Sequence, residues 1–511
     1  MSWAPYVLSF GCGLISLSQE ILWVRLVGFA YGNPPHVFAF VLGLYLLGIA
    51  AGAHIGKRYC RADRDLYGVA ARVLLISAAW DGVAPFLYVF AMKFDRTVGM
   101  FVLPLAVMLV ALFKSIVFPI AHHLGSSKSP QHVGSSVSRV YFANILGATL
   151  GPLLTGFYLL EHATLQQSMF LLCAATAALA AYCFVVRGTV RNWAIAVLPL
   201  PALAGLLVPP LLIPMLMARE WYPSYSSYYM ADPGKVVAIR ENRHGIVHLT
   251  SDGSGADTVW GGNVYDGRVN ASLVGNVNGI ERVYILAALH PAPKRILEIG
   301  VSIGSWTKVL SGFPGLERLD TVELNPAYPE LTARYPQVSS VLTDPKVTHH
   351  IDDGRRWIKR HPDEKYDLIV MNTTFNWRAY STLLLSRDFM LKLQAHLNQG
   401  GILAFNTTGS FDAHATVASV FPHSYRFGSF AYASDHDLTP ELAHIEERIG
   451  RMVWNGSPAV DLANAEVQET FASMRTGLER YDQFIGSAER KPEIITDQNM
   501  ITEYRYGSLF W

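Results

Sequence analysis

The sequence predicts a multi-pass α-helical membrane domain followed by an α/β Rossmann-like domain with a small β region at its start. Three observations predict this. Apolar runs of membrane-spanning length fill the chain up to about Met217, and from Arg219 onward the composition is that of a water-soluble domain. Strand-like and helical stretches alternate from Lys294 onward. The 511 residues exceed one ordinary domain, and 51% hydrophobic content with a mean hydropathy of +0.24 is high for a soluble chain. The expected boundaries are 1–218 for the membrane domain, 219–285 for a linker and small β region, and 286–511 for the α/β domain.

Spanning stretches fall at roughly 6–30, 36–56, 70–92, 99–121, 140–160, 165–186 and 193–217, which predicts about seven helices. The first run is longer than a signal-peptide core and lacks a basic flank, so it is read as a membrane helix. The seventh, "WAIAVLPLPALAGLLVPPLLIPMLM", carries five prolines, which predicts a kinked or partly re-entrant segment. Small residues recur in "GLYLLGIAAGAHIG" and "ANILGATLGPLLTG", a composition suited to close helix packing in lipid.

Loop charge gives an orientation. Lys57, Arg58, Arg61, Arg64, Arg72, Lys128, Arg139, Arg187 and Arg191 fall on one set of alternate loops, against Lys93, Arg96 and Arg219 on the other. The positive-inside rule places the first set in the cytoplasm. With seven spans the soluble domain then faces a periplasm-like space from a bacterial inner membrane, with membrane lipid as a partner. Glu20, Arg25, Asp81 and Lys114 lie inside spans, where charge is costly; they are read as structural partners within the bundle. No internal repeat or pair of broken helices marks a transporter.

Composition excludes several classes. A net charge of +1 and the absence of a basic cluster with interleaved aromatics predict no nucleic-acid partner. Cys12, Cys60, Cys173 and Cys183 all lie in or beside the apolar segments, so the soluble part has no disulfide framework, thiolate zinc site or cysteine nucleophile. No metal-ligand spacing appears, and no metal is expected. His349 and His350 are adjacent and fall on opposite faces of any strand; His122 and His123 sit at a membrane boundary. His436, in "ASDHDL", is read as able to enter a pocket from a late loop, and Trp260, Trp306 and Trp357 as core or pocket wall.

The soluble half opens with short strands and turns, "HGIVHLTSDG" and "DTVWGGNVYDGRVN". Then "PKRILEIGVSIGSWTKVL" gives a strand, a glycine-bearing turn and a helix start. "RLDTVELNP", "VTHHIDDGRRWI", "YDLIVMN" and "GGILAFNTTG" continue the alternation, predicting a doubly wound, largely parallel sheet with its ligand at the carboxyl ends of the strands. Glu298 ends the first of these strands. Gly300 and Gly304 permit close backbone approach to a ligand, with Ser302 where many such loops have glycine. Glu323, about twenty residues beyond that turn, is placed to accept from ribose hydroxyls. Asp352 and Asp353 begin a helix; either one caps it, or Asp353 reaches an adenine or amine group.

In this order and spacing, "HPAPKRILEIG", "VELNP", "DPKVTHHIDDGRRWI", "YDLIVMN", "LLSRDF" and "GGILAF" resemble the spermidine synthase (polyamine aminopropyltransferase) family, in its membrane-fused bacterial branch. The resemblance implies a fold of the class I methyltransferase and spermidine synthase kind. It implies nucleoside-side roles for Gly300, Gly304, Glu323 and Asp353. On the amine side the sequence departs. Where the family has paired aspartates that bind the attacking amine and take its proton, this chain has Asn372 and Phe375. Ile303 replaces the glycine-loop aspartate, and Asn278, Gly279 and Ile280 stand near the family's Tyr-His-Glu element. An asparagine cannot accept the amine's proton, so ordinary spermidine synthesis is not expected.

The leading expectation is therefore an enzyme on a diverged transferase fold that acts on an amine or amide without an adenosyl cofactor, for example by cyclising N-terminal glutamine on exported polypeptides. Glu298, Glu323, Asp353 and Asn372 are the candidate catalytic residues. Gly300, Ser302, Gly304, Thr373, Thr374, Trp377 and Arg378 are the candidate substrate contacts, for a small amine or a peptide N-terminus. One alternative is a cytoplasm-facing aminopropyl or methyl transferase using S-adenosylmethionine or its decarboxylated form. The other is a non-catalytic amine-binding sensor or transport accessory.

Overall fold

The computed structural model describes residues 3–61, 64–126, 133–217, 234–499 and 501–506. Lys128, Arg219 and Trp511 lie outside the described residues. The chain divides into two compact units, the first built from residues 1–219 with 241–243 and the second from the remainder.

Among the described residues of the first unit, six helices are long and apolar enough to cross a membrane. They are built on α1 (Ala4–Tyr31), α2 (His36–Gly56), α3 (Leu66–Phe94), α4 (Arg96–Ser126), α5 (Val133–Leu154) and α6 (Leu165–Arg187). The small residues set the packing. A Cβ on Gly48, Gly52 or Gly56 of α2 would stand 2.4, 2.3 and 2.3 Å from the carbonyl oxygens of Met108, Leu112 and Ile116 on α4. Gly147 and Gly151 of α5 meet the Phe10 and Leu14 carbonyls of α1 in the same way. Each spacing of four places small residues on one face, which lets the backbones touch. Inside the bundle Lys114 Nζ bonds both Asp81 carboxylate oxygens at 2.8 Å and Ser77 Oγ at 3.0 Å, while Thr176 Oγ1 donates to Asp81 Oδ2 at 3.1 Å. The two intramembrane charges thus neutralise each other.

The seventh expected span is not a single helix. Its prolines break it into Ala194–Val197, Leu200–Ala204, a 3₁₀ turn at Gly205–Leu207, and Leu212–Leu216. Even so, the broken segment runs the length of α6 in reverse. Ala202 packs on Cys173 and Ala177 of α6, and Gly205 lies against Phe170. At the start of α6, Gln166 Nε2 donates to the Val208 and Pro209 carbonyls, and Gln166 Oε1 accepts from Leu211 N at 2.7 Å. The amide side chain thereby satisfies backbone groups that the missing helix leaves open.

The second unit begins with an antiparallel sheet of β1 (Lys235–Asn242), β2 (Gly245–Ser251), β3 (Thr258–Gly261) and β4 (Val264–Arg268), in that spatial order. The main sheet contains β5 (Arg295–Ile299), β6 (Arg318–Glu323), β7 (Val347–Ile351), β8 (Tyr366–Met371), β9 (Leu397–Asn406), β10 (His423–Phe427) and β11 (Phe430–Ser434). β12 (Val453–Trp454) and β13 (Ser457–Pro458) form a separate hairpin, and β14 (Glu479–Arg480) closes one edge of the main sheet. The main order is β14-β10-β11-β9-β8-β5-β6-β7; β5 to β9 are parallel and the remaining strands antiparallel.

Period-two alternation sends Ile296, Leu368, Val370 and Ile402 into one core and Leu297, Ile369, Met371 and Leu403 into the other. The first core is shared with Val247, Leu249 and Val259 of the small sheet, and is covered by α7 (Glu281–Leu289) and α8 (Ser305–Ser311). The second is covered by α9 (Gly354–Arg360), α10 (Arg387–Ala395) and α11 (Phe411–Ala418). This is the doubly wound arrangement expected from the alternation. Strand order reverses between β5 and β8, so their carboxyl ends flank the natural ligand crevice.

Candidate functional site

A cavity of about 580 Å³ opens at that reversal point. Its floor is the turn after β5 and the loop after β8, held edge to edge. Gly300 N donates to Val322 O, Asn372 N donates to Ile299 O, and a Cβ on Gly300 would stand 2.6 Å from Asn372 O. The glycine is thus required for approach to the protein's own β8 loop. Gly304, with φ +81°, likewise packs on Thr332 and Val341. Ser302 takes φ +49°, a region that favours glycine, and is held there by its Oγ donating to Asp266 O at 3.1 Å.

The acids expected to carry the chemistry are occupied by their own chain. Glu323 Oε2 accepts from Val301 N at 2.8 Å and Ser302 N at 3.4 Å, and Oε1 accepts from Asn325 N at 2.9 Å. Burial pushes its pKa up to about 7 despite these bonds. Glu298 is fully buried beneath the turn, accepts from Thr307 Oγ1 at 2.7 Å, and is pushed up to about 8 by burial. Asp353 caps α9 by accepting from Arg356 N at 2.9 Å, and Asp352 pairs with Arg356 and Arg360. None of Glu298, Glu323 and Asp353 lines the cavity.

The neutral loop does face it. Asn372, Thr373, Thr374 and Phe375 line the cavity together with Ser302. Thr373 Oγ1 donates to Asn406 O, which ties the loop to β9. Arg378 Nη1 donates to Thr374 Oγ1 at 2.8 Å, so this hydroxyl accepts from the guanidinium and keeps its own proton for another acceptor. Trp377 stands behind, its ring 5.8 Å from that of Phe375. Trp306, read from the sequence as core or pocket wall, is in the cavity wall.

Two acids are among the cavity's lining residues, Asp266 and Glu281, and sequence reasoning found neither. Asp266, on β4, lines the wall, and its Oδ2 accepts from Tyr328 Oη at 2.5 Å. Burial raises its pKa, opposed by the Tyr328 hydrogen bond and the Arg378 charge. Asp266, Tyr328, Arg378 and Thr374 therefore form one constellation beside Asn372. Nothing local in "NVYDGRVN" distinguishes this aspartate from a hairpin-turn residue; only β4 docking over the β5 turn does. The opposite wall comes from Asn278 and Arg282. Arg282 donates to Gly279 O, Asn278 O and Ser429 Oγ, and lies 5.0 Å from the centre of the Phe430 ring.

The histidines stand elsewhere. His349 Nδ1 meets Thr321 Oγ1 and His350 Nε2 meets Asp320 Oδ1. His436, expected to reach the pocket, instead pairs with Asp435 beside Gly400, at the far end of β9 from Asn406. Among the described residues no group of three or more His, Cys, Asp or Glu is placed to hold a metal ion.

Residues 283–426 match the spermine/spermidine synthase domain family. The polyamine aminopropyltransferase of Agathobacter rectalis is 31% identical over 129 residues, covering 25% of this chain and 45% of the relative. That of Clostridium perfringens is 30% identical over 168 residues, covering 30% and 59%. The chain thus spans about half the length of the curated relatives it matches. Among solved structures, spermidine synthase from Thermotoga maritima aligns with 47% of this chain and 84% of its own at 15% identity, with a TM-score of 0.37.

Proposed function

We propose that this chain is a membrane-anchored enzyme that acts on an amine or amide group without an adenosyl cofactor, with cyclisation of N-terminal glutamine as the reaction its site fits best. The observation that carries the reading is Asp266, hydrogen-bonded by Tyr328, in the wall of a cavity lined by amides and hydroxyls, while Glu323 is engaged by the backbone of its own turn.

The chemistry needs one proton shuttle and a polarised carbonyl. The α-amine nitrogen attacks the side-chain amide carbon of the glutamine, forming the N–C bond of a five-membered lactam. Asp266 takes the proton from the amine. Asn372 and Thr374, the latter polarised by the hydrogen bond it accepts from Arg378, donate to the carbonyl oxygen as negative charge develops there. Collapse breaks the C–NH₂ bond, Asp266 returns the proton to the departing nitrogen, and ammonia leaves. Nucleophile and electrophile belong to one residue, so orientation supplies much of the rate and no co-substrate is required.

Orientation supports an exported substrate. The proline-rich segment packs on α6, with Gln166 bonded to the Val208 and Pro209 carbonyls and Gly205 against Phe170; read as a seventh crossing, it supports an odd count. With that count, the positive-inside rule applied to Lys57, Arg58, Arg187 and Arg191 supports a periplasmic α/β domain.

The test is to incubate the full chain in detergent with a peptide beginning in glutamine and follow its mass. Loss of one ammonia, abolished in Asp266→Asn, is the expected result. No mass change would overturn the reading. A second reading, an aminopropyl or methyl transferase facing the cytoplasm, is favoured by the names of the aminopropyltransferase relatives. A topology reporter fused after Trp511 separates the two, because a cytoplasmic signal would favour the transferase.

A further inference from the structure

A second cavity, of about 310 Å³, lies away from the first, between α8, the turn at 339–346 and the β12–β13 hairpin. Lys346 immediately precedes β7, so this cavity is at the amino ends of the strands, opposite the candidate active site. Its lining is cationic. Lys308 is 7% exposed, and its Nζ has Ser340 Oγ at 2.8 Å as a hydrogen-bond partner. Lys346 Nζ donates to Ser311 O at 2.8 Å. Among the described residues no carboxylate lies within ion-pairing distance of either ammonium. This contrasts with Lys114, the other deeply buried lysine, which holds a bidentate aspartate.

Burying an ammonium without a counter-ion is costly. The cost shows in Lys308, whose pKa is lowered by burial and by Lys346 and partly restored by Asp344. Asp344 is the acid in the lining; its Oδ1 accepts the backbone N–H of Lys346. Neutral hydroxyls complete the lining. Thr343 Oγ1 donates to Ser340 O at 3.4 Å, and Ser340 Oγ, which accepts from Lys308, keeps its own proton for a ligand. The Trp454 ring lies 5.1 Å from Lys308 Nζ and fixes the ammonium against one wall.

We propose that this cavity binds a dianionic oxyanion of the phosphate or phosphomonoester type, held by the Lys308 and Lys346 ammonium groups with the Ser340 hydroxyl as a neutral donor. Two ammoniums against one carboxylate leave the cavity short of negative charge. Such a ligand supplies several acceptor oxygens to those donors in charge-assisted bonds. Its volume takes a phosphate with a small organic group. The site also bears on the first cavity, because α8 carries Ser305 and Trp306 in one and Lys308 and Ser311 in the other.

The test is thermal unfolding of the full chain, in detergent with added inorganic phosphate and separately in nanodiscs with or without phosphatidic acid, at fixed ionic strength set with chloride. The expected result is a saturable rise in Tm with one of the two phosphate sources. The rise is lost in Lys308→Met, which keeps the apolar stem against Trp454. In Lys346→Met the half-saturating concentration increases about tenfold, as for loss of one charge-assisted bond. A response to inorganic phosphate identifies a soluble ligand, and a response to phosphatidic acid alone identifies a lipid headgroup. No rise with either source would overturn the proposal, as would a rise that persists in both variants. Should Lys308→Met fail to fold, Lys346→Met and its charge-preserving control Lys346→Arg decide the matter.

Discussion

The two sides of the strand-end crevice treat their polar residues in opposite ways. On the β6 side, Glu323 accepts three backbone N–H bonds and Asp353 caps a helix, while Glu298 lies buried below. On the β8 side, Asn372, Thr373 and Thr374 line open space, and Asp266 joins them from a different sheet. The acids nearest in position to a nucleoside site are occupied within the architecture. The acid assigned to proton transfer, Asp266, comes from β4, and its Oδ2 also has a partner in Tyr328 Oη. What separates the two sides is where their carboxylates face: Asp266 lines the cavity, and Glu298, Glu323 and Asp353 do not.

The comparison can be broken from either side, and the largest effect should come from Asp266. Replacing it by Asn removes the proton shuttle and keeps the shape, so turnover of an N-terminal glutamine peptide should fall about 10²–10⁴-fold with little change in Tm. Equal activity in the variant would return catalysis to the β6 side. Next in size is Glu323→Ala, which leaves buried backbone donors at Val301 and Asn325 without their acceptor. Chemical denaturation should show a loss on the order of 1–3 kcal/mol.

A pH series sharpens the contrast further. Burial raises Glu298 from its ordinary 4.5 to about 8, so the folded state holds the proton more tightly than the unfolded chain. The protonated acid's contribution is complete below pH 4.5 and is lost as pH rises through about 8. Glu298→Gln should therefore flatten the fall in stability over that interval, measured as Tm against pH; an unchanged slope would place the titration elsewhere. The smallest effect belongs to Asp353→Ala, which removes a helix cap worth about 1 kcal/mol and should leave turnover by the folded enzyme unaltered. A large loss of turnover there would reinstate the β6 side as a ligand site.

Much of this was legible in the chain itself. Hydropathy located the six long helices, and the glycines of "GLYLLGIAAGAHIG" marked the face that meets α4. The alternation after Lys294 foretold the doubly wound sheet and its ligand end. The proline-rich seventh span signalled its own irregularity, but its return along α6 depends on Gln166, a single side chain whose partners lie more than forty residues away. Asn372, Thr373 and Thr374 were found because they end a strand. Asp266 was not, because its role comes from the docking of one sheet on another. Glu323 was read as a ribose acceptor from its spacing, and its backbone partners at Val301, Ser302 and Asn325 were not legible there.

The most direct test of the central claim is a calorimetric titration of the full chain with S-adenosylmethionine and, in parallel, its decarboxylated form. If Glu323 and the glycine turn are closed on each other, neither compound should give a heat of binding. Saturable binding in the micromolar range, weakened by Glu323→Gln, would contradict the account and restore the adenosyl cofactor to this site.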